Sequence, residues 1–120
     1  MKHKIYYEET AGAAVLELAG EYTPEEAHET FDILADLFKG KERQHLMIDL
    51  TNTRIMPGRE TRKALEVRGK AAEGRFLMAF VVTDPVGRMA AKFITSIMGR
   101  RDVTGFFKTR DEASTWLKKG

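Results

Sequence analysis

Few residues in this chain have types and spacings suited to chemistry. Asp49 sits in the apolar run Leu46-Met47-Ile48-Asp49-Leu50, and Thr51, Asn52 and Thr53 follow it. An acid and hydroxyls beyond the carboxyl end of a strand stand where ligands and partners meet an open α/β sheet. The simpler role for Asp49 is to accept backbone N–H groups and shape its own loop. A second candidate lies just downstream. Between residues 59 and 75, Arg59, Arg62, Lys63, Arg68, Lys70 and Arg75 face only Glu60, Glu66 and Glu73. Such a stretch suits phosphate, an acidic partner or anionic lipid. It also fits a solvated helix laced with Glu–Lys and Glu–Arg pairs, which is the simpler reading.

The third candidate is apolar. Met89, Phe93 and Ile97 recur every four residues, as one stripe of a helix. The stripe could line a lipid pocket. Core is the simpler expectation, because burying each such side chain gives roughly 1.5–3 kcal/mol. His3, His28 and His45 fall on three different elements, with no second ligand at a metal spacing such as i, i+4. Asp84 stands before Pro85 and reads as a helix N-cap. We find no phosphate loop, no Ser-His-Asp order and no paired-carboxylate motif. The chain has no cysteine, so thiolate chemistry and disulfides are excluded. The expectation is a non-enzymatic protein with no cofactor and no metal.

These residues need a scaffold, and the chain supplies a folded composition. It has 120 residues, 42% hydrophobic and 32% charged, which suits one domain with its own core. The net charge of +2 demands no nucleic acid. The basic stretch lacks an exposed aromatic platform for single strands and any known DNA-binding motif, so nucleic acid is disfavoured. No run approaches the roughly 18 apolar residues of a membrane span. Glu8 and Glu9 interrupt any secretory apolar run near the start, so the expected location is cytoplasmic.

Hydrophobic periodicity places the elements. His3, Ile5 and Tyr7 alternate with Lys4, Tyr6 and Glu8, which predicts a strand. Ala14–Leu18 is a second strand, joined through a hairpin turn in which Gly12 supplies any positive φ. Thr23-Pro24-Glu25-Glu26 opens a helix with a capping box, and Ala27, Phe31, Leu34, Ala35 and Phe38 give its apolar stripe. Leu46–Leu50 and Phe76–Val82 read as strands buried on both faces. Between them Arg59–Glu73 is helical but thinly apolar, with Ala64, Leu65, Ala71 and Ala72 as its stripe. Val86, Met89, Ala90, Phe93, Ile94, Ile97 and Met98 share one face of a third helix, stopped by Gly99. Val103–Phe107 is a last strand, and a second capping box at Thr109–Glu112 opens a final helix with Ala113, Trp116 and Leu117. The order β-β-α-β-α-β-α-β-α predicts a five-stranded mixed sheet with four helices. All strands but one edge strand would be parallel.

Three stretches in this order resemble the STAS domains of bacterial anti-anti-sigma factors, and more closely their SpoIIAA-like branch. They are Gly20-Glu21-Tyr22-Thr23-Pro24-Glu25, His45-Leu46-Met47-Ile48-Asp49-Leu50-Thr51, and the closing stretch from Val103 to Leu117. The resemblance implies a single-domain SpoIIAA-like sandwich that works as a protein-interaction module in bacterial signalling. It places the partner surface at the loop after the central strand and the next helix, around Asp49, Thr51, Thr53, Arg59, Arg62 and Lys63. It leaves a homodimer open. The fold is also related to CRAL-TRIO lipid-binding domains. That relation implies an alternative, a carrier of lipid or a small apolar ligand in a pocket beside the 86–98 helix, lined by Met89, Phe93 and Ile97. The classical members carry a phosphorylatable serine at the start of the second helix. Here that stretch reads Ile55-Met56-Pro57-Gly58-Arg59-Glu60-Thr61 and holds no serine. Partner binding is therefore expected to proceed without phosphorylation there.

Overall fold

The computed structural model describes residues 2–53, 57–71, 76–97, 99 and 103–119. Nine elements follow the expected order. They are β1 (Lys4–Glu8), β2 (Ala13–Ala19), α1 (Pro24–Leu37), β3 (His45–Asn52), α2 (Arg59–Ala71), β4 (Met78–Val81), α3 (Pro85–Ile97), β5 (Thr104–Phe107) and α4 (Arg110–Lys119). The sheet order is β1-β2-β3-β4-β5. β1 pairs antiparallel with β2, and the other three pairings are parallel. β3 is central and β4 is covered on both sides, as their apolar runs predict. Gly12 turns the opening hairpin with φ of 65°.

The crossovers decide which face each helix covers. Parallel crossovers are right-handed, and here each one steps in the same direction across the sheet. α1, α2 and α3 therefore stack on one face. Leu16, Leu18, Leu46, Ile48, Met78 and Phe80 point toward them. The alternate residues Val15, Met47, Ala79 and Val81 point to the other face, where α4 seals them with Ala113 and Leu117. Trp116 packs on Phe107 at the margin of this second layer, with ring centroids 5.3 Å apart.

Local signals held where capping decided the matter. Thr23 and Glu26 exchange hydrogen bonds of 3.1 and 2.9 Å, completing the box at the start of α1. The Asp84 carboxylate accepts from the Gly87 N–H at 2.9 Å. Arg43 donates to the last carbonyls of α4, at Leu117 and Lys118, and so closes that helix.

α3 departs from expectation. Among its described side chains the large ones expected in the core, Val86, Met89 and Phe93, are exposed, and the buried ones are Ala90, Ala91 and Thr95. α3 turns small residues toward the sheet, and Gly87 packs closely against the start of its own helix. A Cβ there would stand 2.8 Å from Asp84 Oδ1 and 2.9 Å from Val82 Cγ2. The side chains of Ile94 and Ile97, and residues Met98, Ala72 and Glu73, lie outside the described residues. Ala71, expected in the stripe of α2, is exposed.

The two faces should answer truncation differently. Leu117→Ala, at 0% exposure, is expected to cost about 2–5 kcal/mol in urea unfolding. Met89→Ala, at 69% exposure, should stay within about 0.5 kcal/mol of wild type. Equal losses would return Met89 to the core.

Candidate functional site

The middle helix explains the main feature of the molecule. α2 buries Thr61, Ala64 and Gly69, and it adds one larger inward side chain, Leu65. α3 contributes Gly87, Ala90 and Ala91. Gly87, Ala90 and Ala91 face large residues on the sheet, including Leu16, Leu18, Ile48 and Phe80. The space between is not filled. A cavity of about 440 Å³ lies between the sheet and the three helices. It follows β3 from Leu46 through Ile48 to Leu50, about 13 Å of strand. α1 closes one side with Phe31, Leu34, Ala35 and Phe38.

The polar groups of this cavity are mostly engaged with the protein itself. Tyr22 donates its hydroxyl proton to Thr30 at 2.8 Å, and Thr30 donates to the Glu26 carbonyl at 2.7 Å. Burial is the main cause that pushes the Tyr22 hydroxyl up to about 12. Thr53 donates to the Gly20 carbonyl at 2.7 Å. The interior is thus lined by hydrocarbon, and Lys39 and Gln44 mark one end. Apolar walls with a few polar groups, in a volume of several hundred Å³, are typical of small-molecule sites.

The anticipated partner surface is not one surface. Asp49 and Thr51 point to the α4 face, whereas Arg59, Arg62 and Lys63 belong to α2 on the opposite face. Asp49 takes 2.9 and 2.6 Å hydrogen bonds from the Thr51 N–H and hydroxyl, the loop-shaping role. It also accepts from Arg110 Nε at 2.8 Å. Arg110 spends its other nitrogens on Glu17 and on the Tyr6 hydroxyl. Tyr6, Glu17 and Asp49 come from three adjacent strands, so Arg110 ties them to the first turn of α4. Sequence spacing could not reveal this residue, because its partners lie 61, 93 and 104 positions away. The guanidinium sits over Phe93 in the case of Arg62, 5.4 Å from the ring centre. Arg59 and Lys63 are exposed. Residues 54–56 of the intervening loop lie outside the described residues.

The anticipated pocket beside α3 does exist, but other residues line it. Val86, Gly87, Ala90 and Ala91 face the cavity, while Met89 and Phe93 stand outside. The sequence signal for the cavity was the set of small residues on α3, Gly87, Ala90 and Ala91, not the stripe of large ones.

The histidines have local partners. His3 Nδ1 accepts from the Ala19 N–H, and His45 Nδ1 accepts from the Leu77 N–H, both at 3.0 Å. His28 lies beside Arg68. Among the described residues, no three His, Asp or Glu side chains converge as a metal site. No helix among them is long and apolar enough to cross a membrane.

Comparison with known proteins adds the fold alone. No family model matches the chain, and no curated protein matches it. A solved structure titled "NMR Structure of the protein TM1081" is similar, with a TM-score of 0.65 at 15% identity. The likeness covers 99% of this chain and 89% of that one.

Two outcomes follow. Burial alone would raise the Asp49 carboxyl, but the two Thr51 hydrogen bonds and Arg110 outweigh it and hold it below its usual range. A carboxyl whose pKa falls on folding stabilises the native state at neutral pH and loses that contribution as the pH drops below about 4. Asp49→Asn should therefore cost about 1–2 kcal/mol at neutral pH, with the gap to wild type closing in acid denaturation near pH 3. A gap independent of pH would assign the loss to packing. Thr61 is the one hydroxyl near the expected phosphorylation position. It is 3% exposed and donates to the Tyr22 carbonyl at 2.8 Å. Phosphopeptide mapping from the native host should find it unmodified, and a stoichiometric phosphate there would contradict this burial.

Proposed function

We propose that this domain is a non-catalytic binding module of SpoIIAA-like type that holds one small apolar or single-chain amphiphilic ligand. The observation that carries the reading is the 440 Å³ apolar cavity between the sheet and α1–α3. Its walls are mostly hydrocarbon, and an apolar occupant would remove that surface from water at a gain of roughly 25 cal/mol per Å². The volume equals about fifteen water-sized groups, enough for one acyl chain and too little for two. The internally bonded hydroxyls of Tyr22, Thr30 and Thr53 favour hydrocarbon, since none needs a ligand to satisfy it.

A partner-binding role in signalling is the second reading. It draws on Arg59 and Lys63, which are exposed and form no ion pair among the described residues. Asp49 and Thr51 lie toward α4 and do not join them, whereas the cavity gathers residues of the sheet and three helices, Thr53 among them, and this favours the cavity as the centre of function. In a cytoplasmic setting the two readings combine if the occupant of the cavity alters what α2 presents.

Native mass spectrometry and cis-parinaric acid fluorescence test the cavity. A co-purifying amphiphile or saturable probe binding is expected. Ala90→Leu should fill part of the space, raise stability by about 0.5–2 kcal/mol and weaken the probe by about tenfold. Overpacking of a filled core would instead lower stability by about 1–3 kcal/mol, and that sign would defeat the reading.

A further inference from the structure

The outward stripe of α3 remains unexplained by the fold. Val86 is 58% exposed, Met89 69% and Phe93 44%, and together they form a continuous row on one helix. Large apolar groups arranged in a row at an exposed surface mark an interaction site. The charge around them is one-sided. α3 carries Arg88 and Lys92 and no acid. Arg88 and Lys92 flank the row on the β5 side, where both lie within 6 Å of the Phe106 ring centre. Arg62 flanks it on the α2 side, above Phe93. Lys63 and Arg59 extend the cationic field along α2. α1 contrasts with this, since it holds Glu25, Glu26, Glu29, Asp32 and Asp36 and no Lys or Arg.

We propose that α3 docks this domain on a bilayer with anionic headgroups and serves as the entry for the apolar ligand. The choice of occupant rests on the ligand-binding reading above. An apolar row between cations is the pattern of a helix lying in the membrane interface, with hydrocarbon below and phosphates beside it. Val86 adds a geometric reason. It lies in the exposed row and also lines the cavity. The outer apolar row is therefore continuous with the inner apolar space. A chain leaving a bilayer would pass Val86 without crossing water. A second copy is the poorer occupant, because pairing two α3 faces brings Arg62, Arg88 and Lys92 against their equivalents, and like charges oppose that contact.

Sedimentation with vesicles tests the proposal. Vesicles of phosphatidylcholine alone are compared with vesicles containing about one third phosphatidylglycerol. The wild type should bind the anionic vesicles and not the neutral ones, and added salt should release it. Met89→Glu with Phe93→Glu should abolish sedimentation. Arg88→Glu with Lys92→Glu should weaken it at least about tenfold, since each cation near such a surface contributes about fivefold. Both double variants should bind cis-parinaric acid in solution as the wild type does, because these side chains face away from the cavity. That control also reports folding. A wild type that binds the probe but not anionic vesicles overturns the docking and leaves the cavity reading intact. Vesicle binding without probe binding removes the cavity reading and keeps the docking surface. A dimer that Met89→Glu with Phe93→Glu dissociates, with no vesicle binding, overturns the proposal in favour of a second copy. Capture of an acidic protein through the same residues, again without vesicle binding, overturns it as well.

Discussion

The right-handedness of parallel crossovers is the constraint on which this molecule rests. With strands in sequential order, each crossover turns the same way and its helix lands on the same face. Three helices must then share one side of a five-stranded sheet, and α4 alone serves the other. α2, in the middle, reaches the sheet between α1 and α3. The space that α1, α2 and α3 together leave over the sheet stays unfilled.

The two layers are consequently built on different principles. On the α4 side, Val15, Met47, Val81 and Leu117 are almost fully buried and packed against one another. Arg110 then joins three strands through Tyr6, Glu17 and Asp49 at the border of that layer. Its side chain is about a third exposed, so solvent screening limits the stabilisation to a modest fraction of what a dry ion pair would show. The network chiefly sets where α4 begins. On the opposite side, Gly87, Ala90 and Ala91 set short side chains toward Leu16, Leu18, Ile48 and Phe80 across the cavity. Tight packing on one face holds the sheet, while the other face keeps an unfilled volume.

The polarity of the helical layer gives the cavity a direction. α1 is acidic, α2 carries an excess of bases, and α3 combines bases with exposed apolar groups. An anionic surface is repelled at one edge of the layer and attracted at the other.

Local patterns in the sequence were sufficient for the elements and their order. Alternation at Ile5 and Tyr7, the capping box at Thr23, the apolar runs at Leu46 and Met78 and the cap at Asp84 each act over a few residues, where backbone sterics and hydrogen bonding decide. Right-handed crossovers then carried that order to a mixed sheet. Two matters were decided only in three dimensions. Asp49 and Arg110 are 61 residues apart and meet because β3 and the start of α4 share one end of the sheet. Met89 and Phe93 have the spacing of a core stripe, yet they lie in solvent. Periodicity states which residues share a face of a helix, but not which face turns inward. At α3 the face carrying Gly87, Ala90 and Ala91 turned toward the sheet and lines the cavity while Met89 and Phe93 turned outward, a choice made by the packing of the whole helical layer and not by any local pattern.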